Sequence, residues 1–279
     1  MYTHSIKNIL IFYKNDCKKS KDTAKKLSAW FKEKKKNASI VSSSKKIKIN
    51  SNCDLVTTIG GDGTYLKVAK LFKTKSIPSV GINTGSLGFL THVSEKKMKS
   101  FFNKVFSKKA ILHKHNLIKI KIKNKIFYAL NDVSIERNSL SNLLSLKVCL
   151  FKKKIYTIKS DGIILSTALG STAYNLAAGG PILHPSLQNI SITPIAPHSL
   201  TVRPIVLNDN YQINIQIKKT KHKNKNKSTL SVDGKRYIML NQGDDIHISK
   251  SPYQHYILRE SNFNYFSILK EKFNFGERG

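Results

Sequence analysis

Along the first third of the chain, short apolar runs alternate with stretches in which apolar residues recur every three or four positions. Ile9 to Tyr13 is an unbroken apolar run, the pattern of a strand buried on both faces. Ser20 and Asp22 follow as cap candidates for a helix with Ala24, Leu27 and Phe31 on one side. A weaker strand around Ile40 and Val41, a polar stretch from Lys45 to Asn52, and a β-branched run from Leu55 that ends at Gly60 come next. Tyr65, Val68, Ala69 and Phe72 then repeat at helical spacing, with Thr64 opening that segment. Ile77 to Ile82 reads as another strand, and Met98, Phe101, Phe102 and Val105 form the inner face of a further helix. Such alternation predicts an α/β domain with a parallel, helix-covered sheet.

From about Leu117 the period changes to two. Ile118, Ile120 and Ile122 alternate with lysines, and Leu144, Leu146, Val148 and Leu150 repeat the pattern, as do Ile213, Ile215 and Ile217. Half-buried antiparallel strands read this way, so the second half is expected to be an all-β, sandwich-like domain. The stretch Pro181 to Pro204 holds five of the seven prolines and reads as a rigid crossover with edge strands. Lys218 to Lys227 reads as a solvated hairpin tip. The amphipathic piece Tyr265 to Phe273 is expected to return to the first domain. The expected division is 1–113 joined by the tail 253–279, and 114–252.

Composition changes this picture little. The 279 residues carry a formal charge of +33, from 44 lysines and 5 arginines spread along the chain. Nucleic-acid readers tend to cluster arginine, so the charge argues weakly for that function and is compatible with anionic small substrates. Cys17, Cys53 and Cys149 are far apart and suggest neither a disulfide framework nor a zinc site. No apolar segment approaches membrane-spanning length, and a cytoplasmic protein with no membrane partner is expected.

The candidate chemistry lies where the glycines are. Ten of the 14 sit in three stretches: Gly60 to Gly63, Gly81 to Gly88 and Gly162 to Gly180. The first, Gly60-Gly61-Asp62-Gly63-Thr64, follows a strand and opens a helix. Glycines there let backbone approach a ligand, and successive N–H groups with the positive end of the helix suit phosphate oxygens. Asp62 would repel phosphate unless a metal or substrate hydroxyl lay between, which suggests phosphoryl transfer; a tight turn with Asp62 as helix cap fits these residues equally well. A second glycine loop, Gly81 to Leu90, follows the next strand, and loops at the carboxyl ends of adjacent strands can face one cleft.

In the β half, Asn131 and Asp132 stand at the head of a strand and suit the two hydroxyls of a ribose, or form an ordinary turn. The passage Lys159 to Pro181 is rich in small residues from Ser166 to Ala178, which allows close approach of a flat ligand.

Taken together, Gly60 to Thr64, Gly81 to Gly85 with Leu87-Gly88-Phe89, Asn131-Asp132-Val133, and Ser160 to Gly162 through Gly170 to Tyr174 and Gly179 to Pro181 resemble the bacterial NAD kinases. The resemblance spans about residues 54 to 207. It implies transfer of the ATP γ-phosphate to the adenosine-side ribose 2′-hydroxyl of NAD, with Mg²⁺ or a similar divalent cation, in a site between the two domains, and a homodimer or homotetramer. It further implies that Asp62 orients the hydroxyl and accepts its proton, with Gly60, Gly61, Gly63 and Thr64 around it, and that Phe89 lies against adenine. Asn131 and Asp132 would hold a ribose, Lys159 would face phosphate, and Asp161 would reach the nicotinamide side. Thr172, Ala173, Tyr174, Asn175, Leu176 and Ala177 would line the dinucleotide pocket. An unperturbed aspartate is a weak base for a sugar hydroxyl. A loose phosphoryl transition state needs little early proton removal, so alignment is the expected main role of Asp62.

Several positions depart from the family pattern: Ala168-Leu169 replaces a more usual Pro-Thr, Asn142 falls where a basic residue is commoner, and Lys235 stands where glutamine is frequent. Two rival readings share single features. A diacylglycerol-type lipid kinase has a similar first loop but leaves Asp161 to Pro181 unexplained. A basic nucleic-acid-binding protein accounts for the charge but not for the paired glycine loops.

Overall fold

The computed structural model describes residues 4–45, 47–72, 74–138, 142–219 and 228–276. It divides into two compact units, Met1–Lys114 with His255–Gly279, and His115–Gln254.

In the first unit, β1 (Asn8–Tyr13), α1 (Lys18–Glu33), β2 (Asn37–Ser42), β3 (Leu55–Ile59), α2 (Asp62–Ala69), β4 (Pro78–Asn83), the short β5 (Val93–Ser94) and α3 (Met98–Phe106) follow one another. The strands run parallel in the order β2-β1-β3-β4, with β5 beside the end of β4. β3 and β4 are wholly buried, as unbroken β-branched runs in a helix-covered parallel sheet should be. One core gathers Ile9, Ile11, Leu55, Ile59, Val80 and Ile82 with Ala24, Leu27 and Phe31 of α1 and Phe101, Phe102 and Val105 of α3. The chain order reverses between β1 and β3, so the carboxyl ends of these strands form the crevice in which open α/β sheets take ligands.

Three local expectations need correction. α1 is entered from Asp16, in the left-handed region at φ 57°, with Cys17 at the cap position; Ser20 and Asp22 are therefore inside the helix. Ser20 instead meets Thr84 of the second glycine loop, Oγ to Oγ1 at 3.1 Å. α2 starts at Asp62 rather than Thr64, and Phe72 lies past its end although it is buried.

The second unit contains β6 (Ile111–Ile122, whose first residues belong to the first unit), β7 (Lys125–Ala129), β8 (Asp132–Arg137), β9 (Leu144–Leu150), β10 (Lys153–Ser160) and β11 (Gly162–Thr167). A 3₁₀ turn (Leu169–Thr172) and the one-turn helix α4 (Tyr174–Ala177) precede β12 (Asn189–Ile195), β13 (Ile205–Asn208), β14 (Ile213–Ile217), β15 (Ser228–Val232) and β16 (Lys235–Leu240). The last strand, β17 (Asp245–Arg259), closes the series. β6 therefore starts six residues before Leu117. One antiparallel sheet has the order β13-β12-β11-β8-β15-β16; facing it, β10, β9, β14 and the first part of β17 run in that order, with β6 and β7 beyond. The period of two explains the packing. Val133, Ile135, Ile163, Leu165, Ile190, Ile192, Leu230 and Val232 point inward to meet Ile120, Leu146, Val148, Ile213, Ile215 and Ile246, so this half is a β-sandwich. On the other face of the first sheet, Ser166, Ser191 and Thr193 are buried, and Ser191 and Thr193 bond to α4.

The proline-rich stretch is only partly an edge. β13 is the edge strand, whereas β12 lies between β13 and β11. Pro194 is tolerated inside β12 because β13 pairs only with Asn189 to Ile192, so the missing N–H of Pro194 faces no partner strand. The tip expected over Lys218 to Lys227 falls, from residue 220 on, outside the described residues.

The tail belongs to the first unit. Tyr256 and Ile257 of β17 pair in parallel with Pro78 and Ser79 of β4. α5 (Tyr265–Phe273) is capped by Asn264, whose side chain accepts from the Phe266 N–H at 2.9 Å, and it buries Tyr265, Ile268 and Leu269. Among the described residues no helix is long and apolar enough to cross a membrane.

Candidate functional site

The two glycine loops of the first unit lie side by side because β3 and β4 are neighbours, with Ile59 opposite Ile82. The Gly60 N–H donates to the Ile82 carbonyl at 2.9 Å. Gly60 sits at φ +154°, and a Cβ there would come within 2.8 Å of Thr64 Oγ1 and 3.2 Å of Lys14 Cβ. Glycine is thus required by the fold at that position. Gly61 and Gly63 differ: a Cβ at either would meet nothing within 4 Å. Packing does not demand these two glycines, and the space beside their backbone is open. α2 begins here with no side-chain cap, so the first N–H groups of the helix are left to solvent or an anion.

Asp62 joins the two loops. Its Oδ1 accepts from the Leu90 N–H (3.1 Å), the Thr91 N–H (2.9 Å) and Thr91 Oγ1 (2.9 Å), and its Oδ2 accepts from the Phe89 N–H (2.9 Å). An ionised carboxylate offers about four acceptor positions, and Oδ2, with a single donor, has room for one more. Gly88 makes this possible: a Cβ on it would lie 2.1 Å from Asp62 Oδ1. Gly81 likewise passes under the Leu90 carbonyl, where a Cβ would come within 2.3 Å. Asp62 is therefore no helix cap; it ties the second glycine loop to the head of α2. Phe89 is buried, with its ring flanked by Tyr265 (5.8 Å) and Phe273 (5.7 Å) and with Lys272 Nζ 5.1 Å away, all on α5.

In the second unit, Asn131 and Asp132 sit at the start of β8, both nearly buried. Asp233 fixes them: its Oδ1 accepts from the N–H groups of Leu130 (2.9 Å) and Asn131 (2.8 Å), and its own N–H donates to the Asp132 carbonyl. Asp233 and Gly234 form the two-residue turn between β15 and β16, both at positive φ, 48° and 70°, as a tight hairpin requires. The Asn131 carbonyl accepts from the Thr167 N–H and leaves no room for a Cβ on Gly170, which would lie 2.2 Å away. Asn131 Oδ1 is buried without a hydrogen-bond partner among the described residues, and an acceptor in that state invites a ligand hydroxyl.

The passage from Lys159 to Ala177 divides by burial. Lys159, at the end of β10, is exposed. Asp161 pairs with Arg137, Oδ1 to Nε at 2.8 Å. Thr172, Ala173 and Leu176 are half-buried, and Tyr174 and Ala177 are exposed. The Tyr174 hydroxyl donates to Glu136 Oε2 at 3.3 Å, and burial, with Glu136 next, raises its pKa. Asn175 has no exposed surface. Its Nδ2 donates to the carbonyls of Ser171 and Pro181, and its Oδ1 accepts from Ser191 Oγ (2.9 Å) and Thr193 Oγ1 (2.7 Å). The side chain of Asn175 thus pins α4 to the sheet beneath it, while the neighbouring residues carry the exposed surface. Gly180 is required here too, because its Cβ would overlap Asn175. Asn142 is half-buried, and Lys235 lies just past the Asp233-Gly234 turn with Nζ 5.2 Å from the Tyr237 ring.

Within each unit the structure gathers the expected residues: Gly60 to Thr64 with Phe89 in the first, and Asn131, Asp132 and Thr172 to Ala177 around Thr167 and Gly170 in the second. Sequence reasoning missed Thr91, Asp233 and Arg137, which hold Asp62, Asn131 and Asp161. The Asp-Gly hairpin signal was a cue for Asp233; Thr91 and Arg137 had none. Among the described residues, no group of three or more His, Cys, Asp or Glu side chains could hold a metal ion.

Comparison with known proteins gives the family of the chain. A model described as ATP-NAD kinase N-terminal domain matches residues 7–110, and one described as ATP-NAD kinase C-terminal domain matches residues 130–260. The NAD kinase of Bdellovibrio bacteriovorus is 37% identical, with 97% of this chain and 93% of that protein aligned, and the NAD kinase of Bacteroides fragilis is 34% identical over 81% and 78%. In fold, the chain is similar to yeast NADH kinase, solved with NADH (TM-score 0.89, 24% identity, 100% and 90% covered). It is also similar to an NAD kinase from Archaeoglobus fulgidus, solved with ATP (TM-score 0.80, 22% identity, 95% and 99% covered). Neither the lipid-kinase nor the nucleic-acid reading gains support, and the chain belongs to the NAD kinase family.

Proposed function

We propose that this protein transfers the γ-phosphoryl group of ATP to the 2′-hydroxyl of the adenosine ribose of NAD, releasing ADP and NADP. The observation that carries the reading is the fixed orientation of Asp62, whose carboxylate is held by three consecutive backbone N–H groups at the head of a phosphate-type loop. The 2′-oxygen forms a bond to the γ-phosphorus as the bond to the β–γ bridging oxygen breaks, and the hydroxyl proton passes to Asp62. Oδ2 is the atom with room for that donor. A carboxylate fixed in advance aligns the hydroxyl without reorganising at the moment of reaction, which suits a transfer governed by positioning.

The other roles follow from the residue types. Gly60, Gly61, Gly63 and Thr64 cradle phosphate with backbone N–H groups, and Lys159 adds a point charge. Asn131 and Asp132 take ribose hydroxyls. Asp161, oriented by Arg137, meets the nicotinamide side. Thr172, Ala173, Tyr174, Leu176 and Ala177 line the dinucleotide, with Asn175 holding their turn. Phe89 offers its ring to adenine, and Asn142 and Lys235 adjust affinity. A divalent cation, Mg²⁺ first, enters as part of the nucleotide substrate, bound through its phosphates, since Mg²⁺ needs few protein ligands when phosphates supply the rest. A cytoplasmic homodimer or homotetramer completes the reading.

The test is to incubate the purified protein with γ-labelled ATP and Mg²⁺, offering NAD or diacylglycerol as acceptor. Label in NADP, at the 2′-position, is expected. Label in the lipid and none in NAD would overturn the reading.

A further inference from the structure

Behind the loop that holds Asp62 lies one of the five arginines of the chain. Arg259, at the end of β17, is 1% exposed, and among the described residues no carboxylate stands within ion-pairing distance of it. Its Nη2 donates to the Phe89 carbonyl at 3.3 Å, and its guanidinium lies over the Phe263 ring, 3.8 Å from the centroid. Nε and Nη1 are buried with no hydrogen-bond partner among the described residues. A buried cation without a paired anion is costly, and replacing such a group by an apolar residue of similar size commonly leaves stability unchanged or raises it. Packing alone therefore does not account for an arginine here. What it contacts does: the Phe89 carbonyl shares its peptide with the Leu90 N–H, which donates to Asp62 Oδ1 at 3.1 Å, so guanidinium, carbonyl, amide and carboxylate form one chain of contacts.

We infer that Arg259 is a positioning residue for Asp62: by holding the Phe89 carbonyl it fixes the peptide whose N–H aims the Asp62 carboxylate, and it sets a buried positive charge behind that carboxylate. This rests on the proposed role of Asp62. Burial lowers the pKa of Arg259 to about 10, opposed by Tyr65, Asp62 and Tyr265, which leaves the guanidinium charged at neutral pH. Carbonyl and amide belong to one planar peptide, so tilting it shifts the Leu90 N–H that holds Oδ1 and turns the whole carboxylate, Oδ2 included, and a displacement of about 1 Å at a reacting group can cost 10²-fold in rate.

The test uses the full chain with Arg259→Met, Arg259→Lys and Asp62→Asn, measuring kcat, the KM for NAD and ATP, and thermal midpoints. The expected result is that R259M melts no lower than the parent, yet loses roughly 10- to 100-fold in kcat with both KM values within about threefold. R259K, which keeps the charge and a donor, should recover part of the loss. Turnover of R259M within threefold of the parent would overturn the inference, as would a loss of turnover that tracks a fall in melting temperature. If R259M does not fold, R259K decides: reduced kcat at the parental melting temperature supports the inference, and parental kcat, or a second folding failure, overturns it. D62N separates the two levels. An active D62N would sink the reading of Asp62 itself, whereas an inactive D62N beside a fully active R259M would sink the role of Arg259 alone.

Discussion

Gly88 and Asp62 are separated by 26 positions in sequence, yet a single carbon atom added to Gly88 would lie 2.1 Å from Oδ1 of Asp62. The carboxylate occupies the space that a side chain at 88 would take, and the amides of residues 89 to 91 close around it. The first and second glycine loops become one structure through this contact.

Gly88→Ala should therefore expel the carboxylate from its nest. We predict a loss of kcat of roughly 10²-fold and a destabilisation of about 1–3 kcal/mol from overpacking. Gly61→Ala is the matched control, because its Cβ meets nothing within 4 Å; it should leave the melting temperature unchanged and raise the KM for a phosphate-bearing substrate. Steady-state kinetics beside thermal melts distinguish the two, and equal melting losses would refute the assignment of Gly61 to ligand approach.

Asp233→Ala should act on NAD rather than on the chemical step. It leaves the N–H groups of Leu130 and Asn131 without their acceptor, each a buried donor costing about 1–3 kcal/mol if unsatisfied. The expected outcome is a raised KM for NAD with a smaller change in kcat. An unchanged KM for NAD in a folded D233A protein would remove Asn131 and Asp132 from the ribose site.

Asn175→Ala removes a side chain that makes four hydrogen bonds in a fully buried position and strands the hydroxyls of Ser191 and Thr193. A stability loss of about 2–4 kcal/mol is predicted, read from denaturant midpoints. A variant of parental stability would mean that Asn175 faces ligand rather than the sheet.

His92 makes stability depend on pH. Burial first, and the Arg259 guanidinium second, hold its pKa well below the usual histidine value, so the folded ring is neutral where the unfolded ring is protonated. The unfolded state then binds the additional proton, and stability falls as pH drops below about 6.5, by at most about 1.4 kcal/mol per pH unit from this group. Melting curves between pH 8 and pH 5 should show this decline, and His92→Phe should flatten it. An identical decline in the variant would assign the effect elsewhere.

Much of the architecture was legible from periodicity, because burial on one face or two writes itself into neighbouring residues. The unbroken runs at Leu55 to Ile59 and Ile77 to Ile82 became the paired inner strands, and the alternating isoleucines at 118 to 122 and 213 to 217 became one wall of the sandwich. The glycine clusters marked where the backbone comes close to other atoms. Polar partners far apart in sequence were not legible: nothing near Asp62 announces the amides 27 to 29 residues later, and nothing near Asn131 announces Asp233. Helix caps failed for a related reason, since Ser20 looks like a cap locally and is drawn instead to Thr84, 64 residues away. Pro194 misled because its tolerance depends on where a neighbouring strand stops pairing.

The central claim is that a carboxylate held by the second glycine loop aligns the acceptor hydroxyl, and the most direct test is single-turnover formation of NADP from NAD and MgATP by Asp62→Asn compared with the parent. The variant should fold and bind NAD with near-parental affinity while the chemical step slows by roughly 10²–10⁴-fold. NADP formation at near-parental rate by a folded D62N protein would contradict the account.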